Sequence, residues 1–159
     1  MNYFELFEIP VRIKNDKTLL AKKYVELQRK YHPDFYTQST EYEQLDALEI
    51  SSLINKALKV LQNEEQTIKY VLQQKGLLEE EEKYVLPPVF LMEMMELNEG
   101  DATSTIQQAT NYADELHNEV KDIIDTYNDT TISNESLLKL KEYYYKKKYL
   151  QRILERLDG

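Results

Sequence analysis

Between Ile106 and Tyr127 the apolar residues Ile106, Ala109, Ala113, Leu116, Val120, Ile123 and Tyr127 recur at alternating steps of three and four. Only a helix brings that spacing onto one side, and a row this long needs a packing partner along its length. The same rhythm runs through Leu20, Tyr24, Leu27 and Tyr31, and again through Ala47, Ile50, Ile54, Ala57 and Leu61. Across 159 residues there are three Gly and four Pro, too few for the many tight reversals of a β sandwich or barrel. An all-α fold is expected.

The breakers that do occur divide the chain. Gly76, the run Glu79 to Glu82 and the pair Pro87-Pro88 fall close together, a composition typical of a boundary. Charge divides there too. Residues 1–75 hold eleven basic and eleven acidic side chains, whereas residues 76–159 hold nine and eighteen and so carry the whole net charge of −9. The expected organisation is an N-terminal domain over 1–75, a linker over 76–88 and a C-terminal domain over 89–159. In the first, a short helix over Tyr3–Phe7 ends at Pro10. Asp16 caps a helix running to Tyr31, Pro33 stops it, and a long helix follows over Thr40–Gln62. The two long stripes make an antiparallel helical hairpin. Asn63 then caps a short helix that Gly76 closes. The second domain reads as a three-helix bundle over Val89–Asn98, Thr103–Tyr127 and Ser133–Leu157. Its last helix carries Leu140, Tyr143, Leu150, Leu154 and Leu157, with Lys147 interrupting the row.

Composition also excludes chemistry. With no cysteine, thiolate metal sites, disulfides and cysteine nucleophiles fall away. Two histidines, His32 and His117, leave a zinc site dependent on carboxylates. No metal and no cofactor are expected. The acidic balance, with pI near 4.8, opposes general nucleic-acid binding, which needs cationic surface. No apolar run approaches the roughly 18 residues of a membrane span. The N-terminus has neither a basic-then-apolar signal nor an Arg-rich transit pattern, so a cytoplasmic protein is expected.

Tyr31-His32-Pro33-Asp34 stands between the two long helices. It puts an imidazole and a carboxylate on a proline-stiffened loop, a setting for fixed polar contacts with a partner. The plainer reading is a helix stop followed by a turn. The preceding helix bears on the choice. With Leu20 at zero on a wheel of 100° per residue, the apolar stripe lies within about 40° on either side, while Lys22, Lys23, Arg29 and Lys30 fall between about 180° and 300°. A basic strip beside a rigid polar loop is suited to docking an acidic protein surface. Short helix, basic helix, His-Pro-Asp and long antiparallel helix together resemble a J-domain. The resemblance implies that His32, Pro33 and Asp34, with Lys22, Lys23, Arg29 and Lys30, engage a DnaK-type chaperone and stimulate its ATPase. No phosphate loop, cysteine nucleophile or metal cluster completes a catalytic site around His32 and Asp34. The chain therefore reads as an adaptor and not as an enzyme.

The segment Val89 to Leu97 is more apolar than one buried face requires. On a wheel centred at Leu91, Phe90, Met94 and Leu97 cluster together, and Leu91, Met92, Met95, Glu96 and Glu99 occupy another arc. Two readings stay open: an outward Leu/Met patch edged by carboxylates, or a helix buried on both sides. Phe90-Leu91-Met92-Glu93-Met94-Met95-Glu96-Leu97 is also similar to a signature of the HscB co-chaperones of iron–sulfur cluster assembly. Tyr3-Phe4-x-Leu6-Phe7, Leu27-Gln28-x-x-Tyr31-His32-Pro33-Asp34 and Ile54-Asn55-x-Ala57 extend the resemblance over nearly the whole chain. It implies two partners, the chaperone HscA for the J-domain and the scaffold protein IscU for the bundle. By position it assigns Leu91, Met92, Met95, Glu96, Glu99 and Tyr149 to the scaffold, and implies a monomer. Phe35-Tyr36 departs from the pattern, since a basic residue often follows the tripeptide; Asn98 and Gly100-Asp101 depart from a more acidic helix end. The alternative is a J-domain protein for a different client, with its bundle serving dimerisation or acting as a generic holdase. Lys146-Lys147-Lys148 reads as a solvated turn, and His117 receives no role.

Overall fold

The computed structural model describes residues 1–158, without the side chain of Asp158, and every regular element among them is helical. Two compact units form, Met1–Tyr70 and a second beginning at Val71. The boundary falls inside a helix.

In the first unit α1 (Tyr3–Leu6) is one turn, capped by the Asn2 side chain, which accepts from the Glu5 amide at 2.8 Å. So short a helix is not stable by itself. Tyr70 holds it: the rings of Tyr3 and Tyr70 stack at 4.3 Å, and the Tyr3 amide donates to the Tyr70 hydroxyl at 2.9 Å. α2 (Lys17–Tyr31) starts at Asp16, whose carboxylate accepts from the amides of Thr18 and Leu19. A 3-10 turn, Pro33–Tyr36, then leads to α3 (Glu41–Leu61), which Thr40 caps. α2 and α3 pair as the expected hairpin around Leu20, Ala47, Ile54 and Ala57. Within it lies a polar strip. The Tyr24 hydroxyl donates to Asn55 Oδ1 at 2.7 Å, and Gln28 is joined both to Asn55 and to Ser51. Ser51, not Ile50, is therefore the buried member of that helical turn. Its hydroxyl is satisfied by Gln28, so its burial carries no unpaired polar group.

α4 (Glu64–Gln74) ends as expected at Gly76, whose φ of +71° suits glycine alone. The Leu77 amide reaches the Leu72 carbonyl and the Gly76 amide reaches that of Gln73, a complete Schellman closure. In the second unit α5 (Pro88–Leu97), α6 (Ala102–Asp125) and α7 (Asn134–Asp158) make the three-helix bundle. The α6 seam is buried at Thr105, Ala109, Leu116, Val120, Ile124 and Tyr127. The expected Ile123 gives way to Ile124, and on α7 Leu154 gives way to Ile153. In each case two large apolar residues stand side by side, Ile123-Ile124 and Ile153-Leu154, and the other member of the pair is only partly buried.

Lys146, Lys147 and Lys148 lie inside α7, within the helix expected over Ser133–Leu157. Each ammonium stands over a ring, Phe90 at 5.4 Å, Tyr143 at 5.7 Å and Tyr144 at 5.4 Å respectively. The lysine stems cover apolar surface while the heads reach solvent, so the row that Lys147 seemed to interrupt is continuous.

The segment before α5 is fastened to α7 by Glu82. Its carboxylate meets Lys141 Nζ at 2.6 Å and accepts from the Tyr145 hydroxyl at 3.2 Å. Tyr84 stacks on Tyr145 at 4.4 Å beside it. The hydrogen bond from Lys141 holds the Glu82 carboxyl below its ordinary value of 4.5. A depressed folded value stabilises the fold above the unfolded glutamate range and ceases to do so as pH falls through the folded value. Wild type is therefore expected to melt higher than Glu82→Gln at pH 6. Thermal melts from pH 6 to pH 3 should show that gap closing below about pH 4.5; a pH-independent gap would refute the assignment.

Candidate functional site

The tripeptide is shaped by its proline. His32 takes φ −62° and ψ 134°, the extended geometry that a following proline imposes, and this turns the chain out of α2. Pro33 then opens the 3-10 turn. The cap of that turn is the imidazole: His32 Nδ1 accepts from the Asp34 amide at 3.2 Å and stands 3.6 Å from Asp34 Oδ2. His32 is half-buried and the Asp34 carboxylate is 86% exposed, so the loop offers the carboxylate outward and keeps the imidazole oriented.

One positioning residue escaped the sequence reading. The Tyr36 hydroxyl donates to the Lys30 carbonyl at 2.8 Å, tying the far end of the turn to the last turn of α2 and satisfying a terminal carbonyl. Gln44 anchors the following stretch through the Thr37 and Ser39 carbonyls. A tyrosine two residues beyond the tripeptide was visible in the sequence, but its reach back to α2 was not.

The basic strip of α2 is divided. Lys22 and Arg29 are exposed on the side of Val25 and His32. Lys23 and Lys30 line a cavity of about 410 Å³ whose polar rim also holds Glu5, Glu8 and Glu26, over a floor including Leu6, Phe7, Leu27 and Ile50. Carboxylates thus stand near Lys23 and the exposed Lys30, and temper the positive field there more than at Lys22 and Arg29.

On α5, Phe90, Met94 and Leu97 are buried, whereas Leu91 (36% exposed), Met92 (62%) and Met95 (66%) face out with Glu96 and Glu99. Of the two readings of this helix, the outward patch is the one the exposure matches. Phe90 fixes α5. Its ring lies 5.9 Å from Tyr112 and 5.8 Å edge-on from Tyr149. Burial, then the Glu93 carboxylate, raises the Tyr112 hydroxyl above its ordinary value, so Glu93 is engaged inward while Glu96 and Glu99 border the apolar face. Tyr149 is half-buried and meets α5 through Phe90, on the inner side. The Leu97 carbonyl accepts from the Thr105 hydroxyl at 2.9 Å, and Asp101 caps α6, which fixes the turn after the patch. His117 stacks edge-on against Tyr143 at 6.0 Å, as part of the bundle. Among the described residues no three His, Cys, Asp or Glu gather as metal ligands, and no helix is long and apolar enough to cross a membrane.

Residues 86–158, which contain the α5 patch, match the family model described as the HSCB C-terminal oligomerisation domain. The co-chaperone protein HscB homolog of Vibrio vulnificus is 40% identical over 100 residues, covering 62% of this chain and 58% of that protein; the Vibrio atlanticus homolog is 39% identical over the same length. The C-terminal part of this chain is similar to the HscB family. The matched stretch spans less than two thirds of these curated HscB relatives. Solved structures extend the likeness in fold. HscB from Vibrio cholerae superposes with TM-score 0.74 over 99% of this chain and 96% of that one, and human HscB with 0.79 over 99% and 81%, both at 24% identity. The all-helical architecture, J-domain hairpin and C-terminal bundle, is the HscB fold.

Removing the hydroxyl that ties down the loop tests its positioning. Tyr36→Phe is expected to leave helicity intact and to speed amide exchange at Asp34 and Phe35 about three- to tenfold, as the loss of one hydrogen bond of about 1 kcal/mol implies. Unchanged protection would mean that Pro33 and His32 hold the turn without Tyr36.

Proposed function

We propose that this protein is a co-chaperone that binds an IscU-type iron–sulfur scaffold on its C-terminal bundle, delivers it to the DnaK-type chaperone HscA and stimulates that chaperone's ATPase, promoting cluster transfer to other proteins. The observation that carries the reading is the exposed Leu91/Met92/Met95 face, bordered by Glu96 and Glu99, within the stretch that matches the HscB family. Exposed apolar surface of this kind is a partner site by default, and methionine adapts to a partner's shape. The turn at His32-Pro33-Asp34, with Lys22 and Arg29 beside it, supports the chaperone-facing half. The curated relatives bear the name co-chaperone, in keeping with an adaptor and not with an enzyme. On this reading the domains are a J-domain over 1–75, a linker over 76–88 and a scaffold-binding bundle over 89–159, in a cytoplasmic monomer. Carrying both contacts on one chain raises the effective concentration of scaffold at the chaperone.

His32→Gln is expected to abolish ATPase stimulation with full helicity retained, measured as steady-state phosphate release by the chaperone. Stimulation equal to wild type would remove the chaperone half of the reading.

A second reading is favoured by the matched family's own description as an oligomerisation domain: the same α5 face would pair two copies of this chain. One variant separates the two. Leu91→Ala/Met92→Ala/Met95→Ala, all at exposed positions, should fold, stay monomeric on sedimentation and lose binding of purified scaffold in calorimetry. A wild-type protein that sediments as a dimer, with the triple variant monomeric, would replace the scaffold reading with the second.

A further inference from the structure

Beside the tripeptide lies a feature that the charge argument does not use. Phe35 is 65% exposed and Val25 is 45% exposed. Together with Tyr24, Gln28, Arg29 and His32 they line an open recess of about 240 Å³. The Phe35 ring stands edge-on to the imidazole, 6.3 Å between centroids at 74°. Ser51 and Asn55 are the α3 residues that bond to this side of α2, and Leu48, one turn before Ser51 and 53% exposed, lies on the same face of α3. A phenylalanine so exposed contributes little to the fold, whereas its burial by a partner would remove a large apolar area from water.

We propose that Phe35 is a specificity-determining anchor that inserts into an apolar recess on the chaperone ATPase. The proposal rests on the chaperone-facing half of the function given above. Two arguments carry it. First, the ring is already ordered. Pro33, the His32 cap and the Tyr36 bond to the Lys30 carbonyl hold the turn that presents it, so docking forfeits little conformational entropy. Second, the charges are arranged as a rim. Arg29 lines the recess, Lys22 lies two turns earlier on the same face of α2, and Asp34 projects beside Phe35. A buried aromatic centre with charged groups at its edge is the usual energetic layout of a specific interface. The complementary surface is an apolar pocket edged by carboxylates. With Phe35 directly after the tripeptide, docking leans on an aromatic ring more than on charge.

The test is a titration of full-length protein against the DnaK-type chaperone, read as ATP hydrolysis. Phe35→Ala is expected to raise the concentration for half-maximal stimulation at least tenfold while leaving the maximum unchanged, and Phe35→Leu to recover most of the loss. Phe35→Lys should restore some affinity at low salt only, giving a steeper ionic-strength dependence than wild type. A half-maximal concentration within twofold of wild type for Phe35→Ala, with His32→Gln inactive, would overturn the anchor and leave the chaperone reading standing. A lowered maximum in Phe35→Ala would also overturn it, because the ring would then act with His32 in activation and not in binding. Full stimulation by His32→Gln would overturn the chaperone reading itself, and the anchor with it.

Discussion

Burial of Phe90, Met94 and Leu97 sets the rotational phase of α5. Once those three side chains are inside the bundle, a helix advancing 100° per residue has no choice but to turn Leu91, Met92 and Met95 outward. The exposed patch is therefore held by the packing behind it. Phe90 is the pivot, ringed by Tyr112, Tyr149 and the Lys146 ammonium. The same logic governs α2, where Leu20 is buried and Val25, Arg29 and Lys22 are left on the solvent side. In both units the groups left at the surface are those that the core residues cannot accommodate.

The loop depends on a different constraint, the covalent stiffness of proline. Pro33 denies helical geometry to His32, and that single backbone change brings the imidazole over the Asp34 amide. Nothing in the turn needs a glycine. Polar side chains complete what the proline starts, with Tyr36 closing one end and Gln44 the other. A turn fastened at both ends can present a carboxylate that is 86% exposed without the loop itself becoming disordered.

Helix boundaries were legible because their signals are local. Asp16, Thr40 and Asp101 cap where a short polar side chain precedes a periodic run, and Gly76 closes α4 in the one conformation that only glycine takes easily. The division of α5 was legible as two arcs, but which arc faced the bundle had no local signal. The exchange of Ile123 for Ile124 and Leu154 for Ile153 was not legible, since two adjacent large apolar residues give no local signal for which of them enters the core. Ser51 was missed for another reason. A hydropathy pattern assigns a serine to the surface, and only the Gln28 carbonyl waiting on the opposite helix makes its burial inexpensive. The helix that holds the three consecutive lysines was legible, but charge alone marks them as solvated, whereas each stands over an aromatic ring.

The uneven charge then acquires a structural meaning. Residues 1–75 are neutral in sum, yet α2 carries Lys17, Lys22, Lys23, Arg29 and Lys30 while α3 opens with Glu41, Glu43, Asp46 and Glu49 and no cation before Lys56. The bundle carries the net negative charge, and its apolar patch is bordered by Glu96 and Glu99. On the function proposed above, surfaces of opposite sign would serve different partners. Charge of this kind governs approach and orientation more than the strength of the final contact. On that proposal, holding on falls to the apolar centres, Leu91, Met92 and Met95 on one unit and Val25 and Phe35 on the other. Each centre is exposed in the chain alone, and each is carried on an element whose opposite side is already committed to a core.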